Sequence, residues 1–288
     1  MQESAFVFNR HNVCLSGITH PCKNNKNVGV LIVVGGPQTK VGSHRQFVLL
    51  ARYLAANGIP AMRFDYSGMG DSDGEYADFL SVTEDIDEAI KQCQQRLGVS
   101  KVILWGLCDA ASSTLIYAKN KPLDCVAGVV LLNPWVRSEQ GQAKTLVKQY
   151  YWQRIQDKQF WLKLIKLDVD IKGAFLGFTK NILAAFSSSG STSSDVSEIE
   201  VSTQENYIEH MLAGLQKIDT PILLVISGDD LTAAEFEQKV QDDKRWQQAL
   251  ADKQLTKHTM PTANHTFSTL QWRSEVEHTT LSWINTHF

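Results

Sequence analysis

Apolar residues recur along this chain in two rhythms. Short β-branched runs alternate with stretches whose apolar positions fall three and four apart. Ser4–Arg10 and Asn12–Thr19 predict an antiparallel pair of strands around Arg10-His11. Val28–Val34 is continuously apolar, the mark of a strand buried on both faces, and it runs into Gly35-Gly36-Pro37-Gln38. Phe47, Leu50, Ala51 and Leu54 predict a helix to about Asn57, with Ser43 as its cap. A second apolar strand spans Gly58–Asp65 and enters a glycine-rich turn. Val82, Ile86, Ile90 and Leu97 form the stripe of a helix over Ser81–Leu97, stopped by Gly98. Lys101–Trp105 is the next strand, a helix follows from about Asp109 to Asn120, and Val126–Leu132 is another strand.

The pattern then changes. From Trp135 to about Leu215 the chain is helix-rich and aromatic, with Tyr150, Tyr151, Trp152, Phe160 and Trp161 close together. It also holds the low-complexity run Ser187–Ser194, which reads as a mobile loop. The strand rhythm resumes at Thr220–Ile226. A long helical region from about Thr232 to Asp252, a strand Leu255–Met260 and a final helix Phe267–His287 complete the chain. Alternating strands and helices predict an α/β fold: a mostly parallel central sheet with helices on both faces. Residues 1–134 and 216–288 are the two parts of the core, and 135–215 is an inserted helical cap.

Composition narrows the class. A 288-residue chain with 43% hydrophobic residues can bury a large core in one or two domains. The net charge of −3 and the lack of a long basic run argue against nucleic-acid binding. Cys14, Cys22, Cys93, Cys108 and Cys125 are scattered, odd in number and without a C-x-x-C pair. Neither a disulfide framework nor a metal site is expected. No signal peptide and no apolar run of membrane-spanning length is visible, so a soluble cytoplasmic protein is the expectation. Nothing calls for a cofactor.

The chemistry concentrates at Gly106-Leu107-Cys108-Asp109-Ala110, between a strand and a helix. This is the layout of a nucleophile elbow, G-x-S-x-G, with cysteine in the serine's place and Ala110 in that of the second glycine. A cysteine there meets the unpaired amides and positive end of the helix, which favour thiolate. The competing reading is a buried structural cysteine. A nucleophile needs a base and a group to orient it. Strand ends are where such groups collect on an open α/β sheet. After Thr220–Ile226 come Asp229 and Asp230. Asp230 is the favoured carboxylate and Asp229 the runner-up, while Asp-Asp-Leu-Thr also reads as a helix cap. After Leu255–Met260 comes His265, the candidate base. The order nucleophile, acid, histidine is that of α/β-hydrolases. An oxyanion hole would use the amide of Asp109 and one from the loop after Val34. Pro37 has no N–H, which leaves Gln38, favoured, or Gly36. His44, after that loop, and Trp135, past the fourth core strand, are candidate substrate contacts.

These motifs resemble the α/β-hydrolase superfamily over nearly the whole chain. Arg63–Ser72 is similar to its D-x-R-G-x-G-x-S turn, with Ser67 where arginine stands. Gly35-Gly-Pro-Gln, Gly42–Phe47, Trp105–Ser112 and Ser227–Ala233 resemble, more narrowly, a hydrolase associated with the exosortase A system. That family is found in bacteria beside genes for exopolysaccharide production and protein sorting. The resemblance implies Cys108, Asp230 and His265 as a triad but supplies no substrate; the thiol–imidazole chemistry itself points to acyl transfer from a small-molecule ester or thioester. The resemblance also implies exopolysaccharide or envelope machinery as partner. Dienelactone hydrolases share such a triad but not the flanking motifs. Acyl transfer on the same residues, or a non-catalytic binding role on a hydrolase scaffold, are the competing readings.

Overall fold

The computed structural model describes residues 3–23, 27–36, 38–137 and 201–288. Most of the expected cap, including its aromatic cluster and Ser187–Ser194, lies outside the described residues, as does Pro37. The described part of that range past Val201 includes a helix, Tyr207–Lys217, which packs against the elbow helix. Gly214 lets the two backbones touch, because a Cβ there would overlap the carbonyl of Leu115.

The strands are β1 (Ser4–Arg10), β2 (Val13–His20), β3 (Val28–Val33), β4 (Ala61–Asp65), β5 (Lys101–Leu107), β6 (Val126–Leu132), β7 (Ile222–Asp229) and β8 (Leu255–Asn264). They form one sheet in the order β1-β2-β4-β3-β5-β6-β7-β8. The pairs β1–β2 and β2–β4 are antiparallel, and the remaining pairs are parallel. The helices are α1 (Gln46–Ala56), α2 (Thr83–Leu97), α3 (Asp109–Asn120), α4 (Tyr207–Lys217), α5 (Leu231–Asp242), α6 (Lys244–Ala251) and α7 (Leu270–His287). α1 packs with α7, and α2 and α4 both pack with α3. The α/β architecture read from the sequence is therefore present, with helices on both sides of the sheet.

The central strands β3, β5 and β6 are the continuous apolar runs, and they are buried almost throughout. Burial on both faces removes the alternation that a half-exposed strand would show. Trp105 of β5 is among the largest fully buried side chains. Its ring meets Phe47 of α1 edge-on at 5.8 Å, and its indole N–H donates to Thr280 of α7 at 3.4 Å.

Four local expectations differ from the structure. Ser43 does not cap α1, because His44 and Arg45 adopt φ of 53° and 59° and the α-helix begins only at Gln46. The Ser43 amide donates instead to the Gln38 side chain. The helical region expected over 232–252 is interrupted: two helices meet at Asp243, whose extended backbone and carboxylate cap α6 through the amide of Arg245. β7 runs to Asp229 and β8 to Asn264, each beyond its apolar core. Their pairing shifts register between Ser227 and Asp229, where Gly228 leaves room for the Pro261 carbonyl. β8 lies at the sheet edge, the position where a proline costs no ladder hydrogen bond.

The glycine-rich turn after β4 is held by Asp65. Its carboxylate accepts the amides of Lys40 and Asp71 and pairs with the buried Lys40 ammonium. Where the superfamily turn has arginine, Ser67 receives a hydrogen bond from Arg10 of β1, which also pairs with Asp85 of α2. The guanidinium thus arrives from a different strand. No helix among the described residues is long and apolar enough to cross a membrane.

Candidate active site

β5 turns into α3 at Cys108, which has φ 63° and ψ −125°. A non-glycine residue at such φ is strained and is held only when its surroundings determine it. Here they do. The Cys108 amide donates to the carbonyl of Leu132 at 2.8 Å, and its carbonyl accepts from Ala111 at 3.0 Å. A Cβ on Gly106 would lie 2.7 Å from the carbonyl of Ala110, so only glycine permits the sharp corner. Ala110 is itself buried, and its methyl is accommodated because Gly35 opposite has none. Cys108 is half-buried, whereas Cys93 is fully buried and its thiol is pushed well up by desolvation.

Past the C-terminal ends of β7 and β8, on the same side of the parallel sheet as the elbow, Asp230 Oδ2 and His265 Nδ1 are 2.8 Å apart. Asp230 is 9% exposed, and Asp229 is exposed. The bulge at Gly228 turns the chain so that the second of the two aspartates faces the histidine. Asp230 also caps α5, accepting the amides of Thr232 at 3.1 Å and Ala233 at 3.2 Å. The cap role and the carboxylate–imidazole role, opposed in the sequence, belong to one residue. The loop that carries His265 is closed by a reciprocal pair. Asn264 donates to the Ser268 hydroxyl at 2.7 Å and accepts the Ser268 amide at 3.1 Å.

A residue not singled out from sequence joins these two places. Asn133, fully buried at φ 44°, follows β6 directly. Its side chain accepts the Ser227 amide at 2.9 Å and donates to the Ser227 hydroxyl at 2.7 Å and to the His265 carbonyl at 3.4 Å. Ser227 in turn donates to the carbonyl of Asn264. Because Leu132 holds the Cys108 amide, one run of hydrogen bonds ties the elbow to the histidine loop. The signal for it was the polar residue Asn133 which, with Pro134, closes an otherwise apolar strand. Ser112, also missed, pins the chain after β6. Its hydroxyl accepts the Trp135 amide at 2.9 Å and donates to the Trp135 carbonyl at 2.7 Å. The Trp135 amide also reaches the Cys108 carbonyl at 3.3 Å, so Trp135 sits beside the elbow.

The loop after β3 meets the elbow through Asp109. The Gly36 amide donates to Asp109 Oδ2 at 2.6 Å, and a Cβ on Gly35 would overlap Oδ1. Burial pushes the Asp109 carboxyl up from its ordinary range, opposed by the amides of Gly36, Ala110 and Asp109 itself and, more weakly, by the charge of His265. The Gln38 amide is engaged within its own turn, donating to the Gly35 carbonyl at 3.3 Å. His44 is exposed at the start of the short turn before α1 and makes no hydrogen bond or ion pair among the described residues.

Fold and elbow together define an α/β-hydrolase. Residues 26–269 match the family described as serine aminopeptidase, S33, and the chain belongs to that family. The family's name denotes a serine enzyme, and the elbow of this chain carries cysteine. The chain is similar in fold to a thermostable carboxyl esterase from Bacillus coagulans, at 13% identity and a TM-score of 0.64 over 100% of this chain and 99% of that chain. The Pyrococcus furiosus esterase Pf2001 aligns at 15% identity and 0.63 over 99% and 91%. Est1E from Butyrivibrio proteoclasticus, solved with ferulic acid, aligns at 14% and 0.61 over 98% and 99%. No curated protein matches the chain.

Proposed function

We propose that this protein cleaves an ester or thioester through an acyl-cysteine formed at Cys108. The observation that carries the reading is the Asp230–His265 pair, held at 2.8 Å on the same sheet whose fifth strand ends in the Cys108 elbow. An imidazole oriented by a buried carboxylate has the right tautomer to take a proton through its other nitrogen. His265 takes the thiol proton. Sulfur then attacks the carbonyl carbon, and the π pair moves to oxygen. The intermediate collapses by breaking the bond to the leaving group, which receives the proton from His265. Water, deprotonated by His265, attacks the acyl-cysteine, the C–S bond breaks, and the thiol regains its proton.

The oxyanion donors of this reading are the amide of Asp109, after the nucleophile, and that of Gly36. The Gly36 amide faces the elbow, where it donates to Asp109 Oδ2, whereas the Gln38 amide turns back onto the Gly35 carbonyl, which favours Gly36 as the loop donor. Cysteine suits the elbow because its thiol ionises more readily than a serine hydroxyl. The serines that follow, Ser112 and Ser113, are buried and bonded to backbone carbonyls, so they do not compete for the role. Trp135 is the substrate contact that its position beside the elbow supports. The motifs that resemble exosortase A-associated hydrolases support a role in the cytoplasm beside exopolysaccharide production.

The test is the intact mass of the protein quenched during turnover of p-nitrophenyl esters. Parent protein accumulates an acyl adduct that digestion maps to Cys108, and Cys108→Ala forms none. Equal hydrolysis by parent and Cys108→Ala overturns the reading. Capture of the acyl group by an added alcohol or amine faster than by water reassigns the protein as a transferase.

A further inference from the structure

The Asp109 carboxylate holds an amide that the reading above assigns to the substrate oxygen. Its Oδ2 accepts the Gly36 amide at 2.6 Å. The amides of Ala110 and Asp109 also favour its charge. Two of these three amides, those of Gly36 and Asp109, are the donors assigned above to the substrate oxygen. A carboxylate oxygen and a tetrahedral oxyanion want the same partners, and both cannot have them at once.

The side chain is a poor fit as a purely structural group. Oδ1 is buried without any hydrogen-bond partner. No cation forms an ion pair with Asp109 among the described residues. The groups around it make a second anion unwelcome. The Tyr66 hydroxyl is buried and also unpartnered, and its ionisation is suppressed first by burial and then by the charge of Asp109. Tyr76 feels the same charge. A buried carboxylate oxygen left without a partner is costly to the folded state. A side chain in that condition is poised to move. The packing that keeps it in place is specific, because Gly35 must lack a Cβ for Oδ1 to lie where it does.

We propose that the Asp109 carboxyl group competes with the substrate oxyanion for the Gly36 amide and thereby sets the rate of acylation at Cys108. It is a rate- and specificity-determining residue. Substrates are selected by whether binding can displace this side chain from the hole. The inference rests on the acyl-cysteine reading above.

The test compares two reactions of the same sulfur in the full chain. Acylation by p-nitrophenyl acetate passes through an oxyanion, whereas alkylation by iodoacetamide does not. Their ratio at one pH therefore isolates the hole from changes in thiol ionisation. Asp109→Ala frees the Gly36 amide and should raise the ratio by ~10-fold or more, part of the ~10²–10³ that one oxyanion donor is worth. Asp109→Asn, nearly isosteric and neutral, competes more weakly and should raise it less. If the alanine variant fails to fold, the asparagine variant decides alone. A ratio unchanged or lowered overturns the proposal, and a lowered ratio makes Asp109 a residue that positions the loop. Parent protein in which Cys108 reacts with neither reagent refutes the acyl-cysteine reading and this inference together. Normal parent reactivity with no rise in the variants refutes this inference alone.

Discussion

Asp230 does two jobs with one carboxylate: Oδ2 meets His265 Nδ1 at 2.8 Å, while the two oxygens accept the amides of Thr232 and Ala233. The roles separate by substitution. Asparagine is still a good cap but a poor partner for an imidazole that must carry charge. Asp230→Asn should lower the acylation rate by ~10²–10⁴ with little change in stability. Asp230→Ala should lower the rate similarly and also cost about 1 kcal/mol in urea denaturation. Asp229→Asn, at an exposed position, should change neither.

The elbow corner is intolerant of one methyl group. Gly106→Ala places a Cβ 2.7 Å from the Ala110 carbonyl, and both groups are on backbone that cannot swing away. A loss of about 2 kcal/mol or more is expected, read from the denaturation midpoint, together with loss of activity. Ala110→Gly removes a methyl instead. It should cost only about 1 kcal/mol in backbone entropy and leave the protein folded and active.

Asn133 tests the link between the elbow and the histidine loop. Asn133→Gly tolerates φ 44° yet removes the bonds to Ser227 and His265. The buried Ser227 amide then lacks its partner, at a cost of about 1–3 kcal/mol. The acylation rate should fall with it while alkylation of Cys108 by iodoacetamide is retained. A rate equal to that of the parent would mean that the link does not position His265.

His20 gives the fold an acid-side weakness. It is fully buried, and its Nε2 accepts a hydrogen bond from Arg63 Nε at 3.0 Å. Burial, and next the Arg63 charge, depress its pKa from 6.5 to about 4. Between those values the unfolded chain holds the extra proton and the folded chain does not. Stability is therefore full above about 6.5 and falls as the pH drops toward about 4. The loss is on the order of 3 kcal/mol. His20→Gln keeps an acceptor for Arg63 without a titrating ring. It should flatten the fall in stability between about pH 7 and about pH 4.5, measured by urea denaturation at each pH. An unchanged slope would assign the acid sensitivity elsewhere.

Much of the architecture was legible along the chain, because a parallel sheet buried on both faces needs continuous apolar strands, and β3, β5 and β6 are that. The elbow was legible too, since Gly106 and Cys108 lie two residues apart and their geometry is local. Strand ends were not. β7 and β8 extend past their apolar runs because a bulge and an edge position, both products of pairing, let Gly228 and Pro261 join a ladder. The choice between Asp229 and Asp230 as the partner of His265 turned on that same bulge. Ser43 failed as a cap because two residues beyond it take positive φ. Nothing in their types demands this.

Residue types and order alone determined an α/β-hydrolase chain with cysteine at the elbow and a carboxylate and a histidine after later strands. Periodicity and local turn chemistry are written in the covalent sequence. Tertiary structure alone decided that Asp230 rather than Asp229 holds His265, that Asn133 ties the elbow to the histidine loop, and that Asp109 turns its carboxylate onto the Gly36 amide. Each of these joins segments from 35 to 132 residues apart, fixed by how strands pair and pack rather than by their neighbours in sequence.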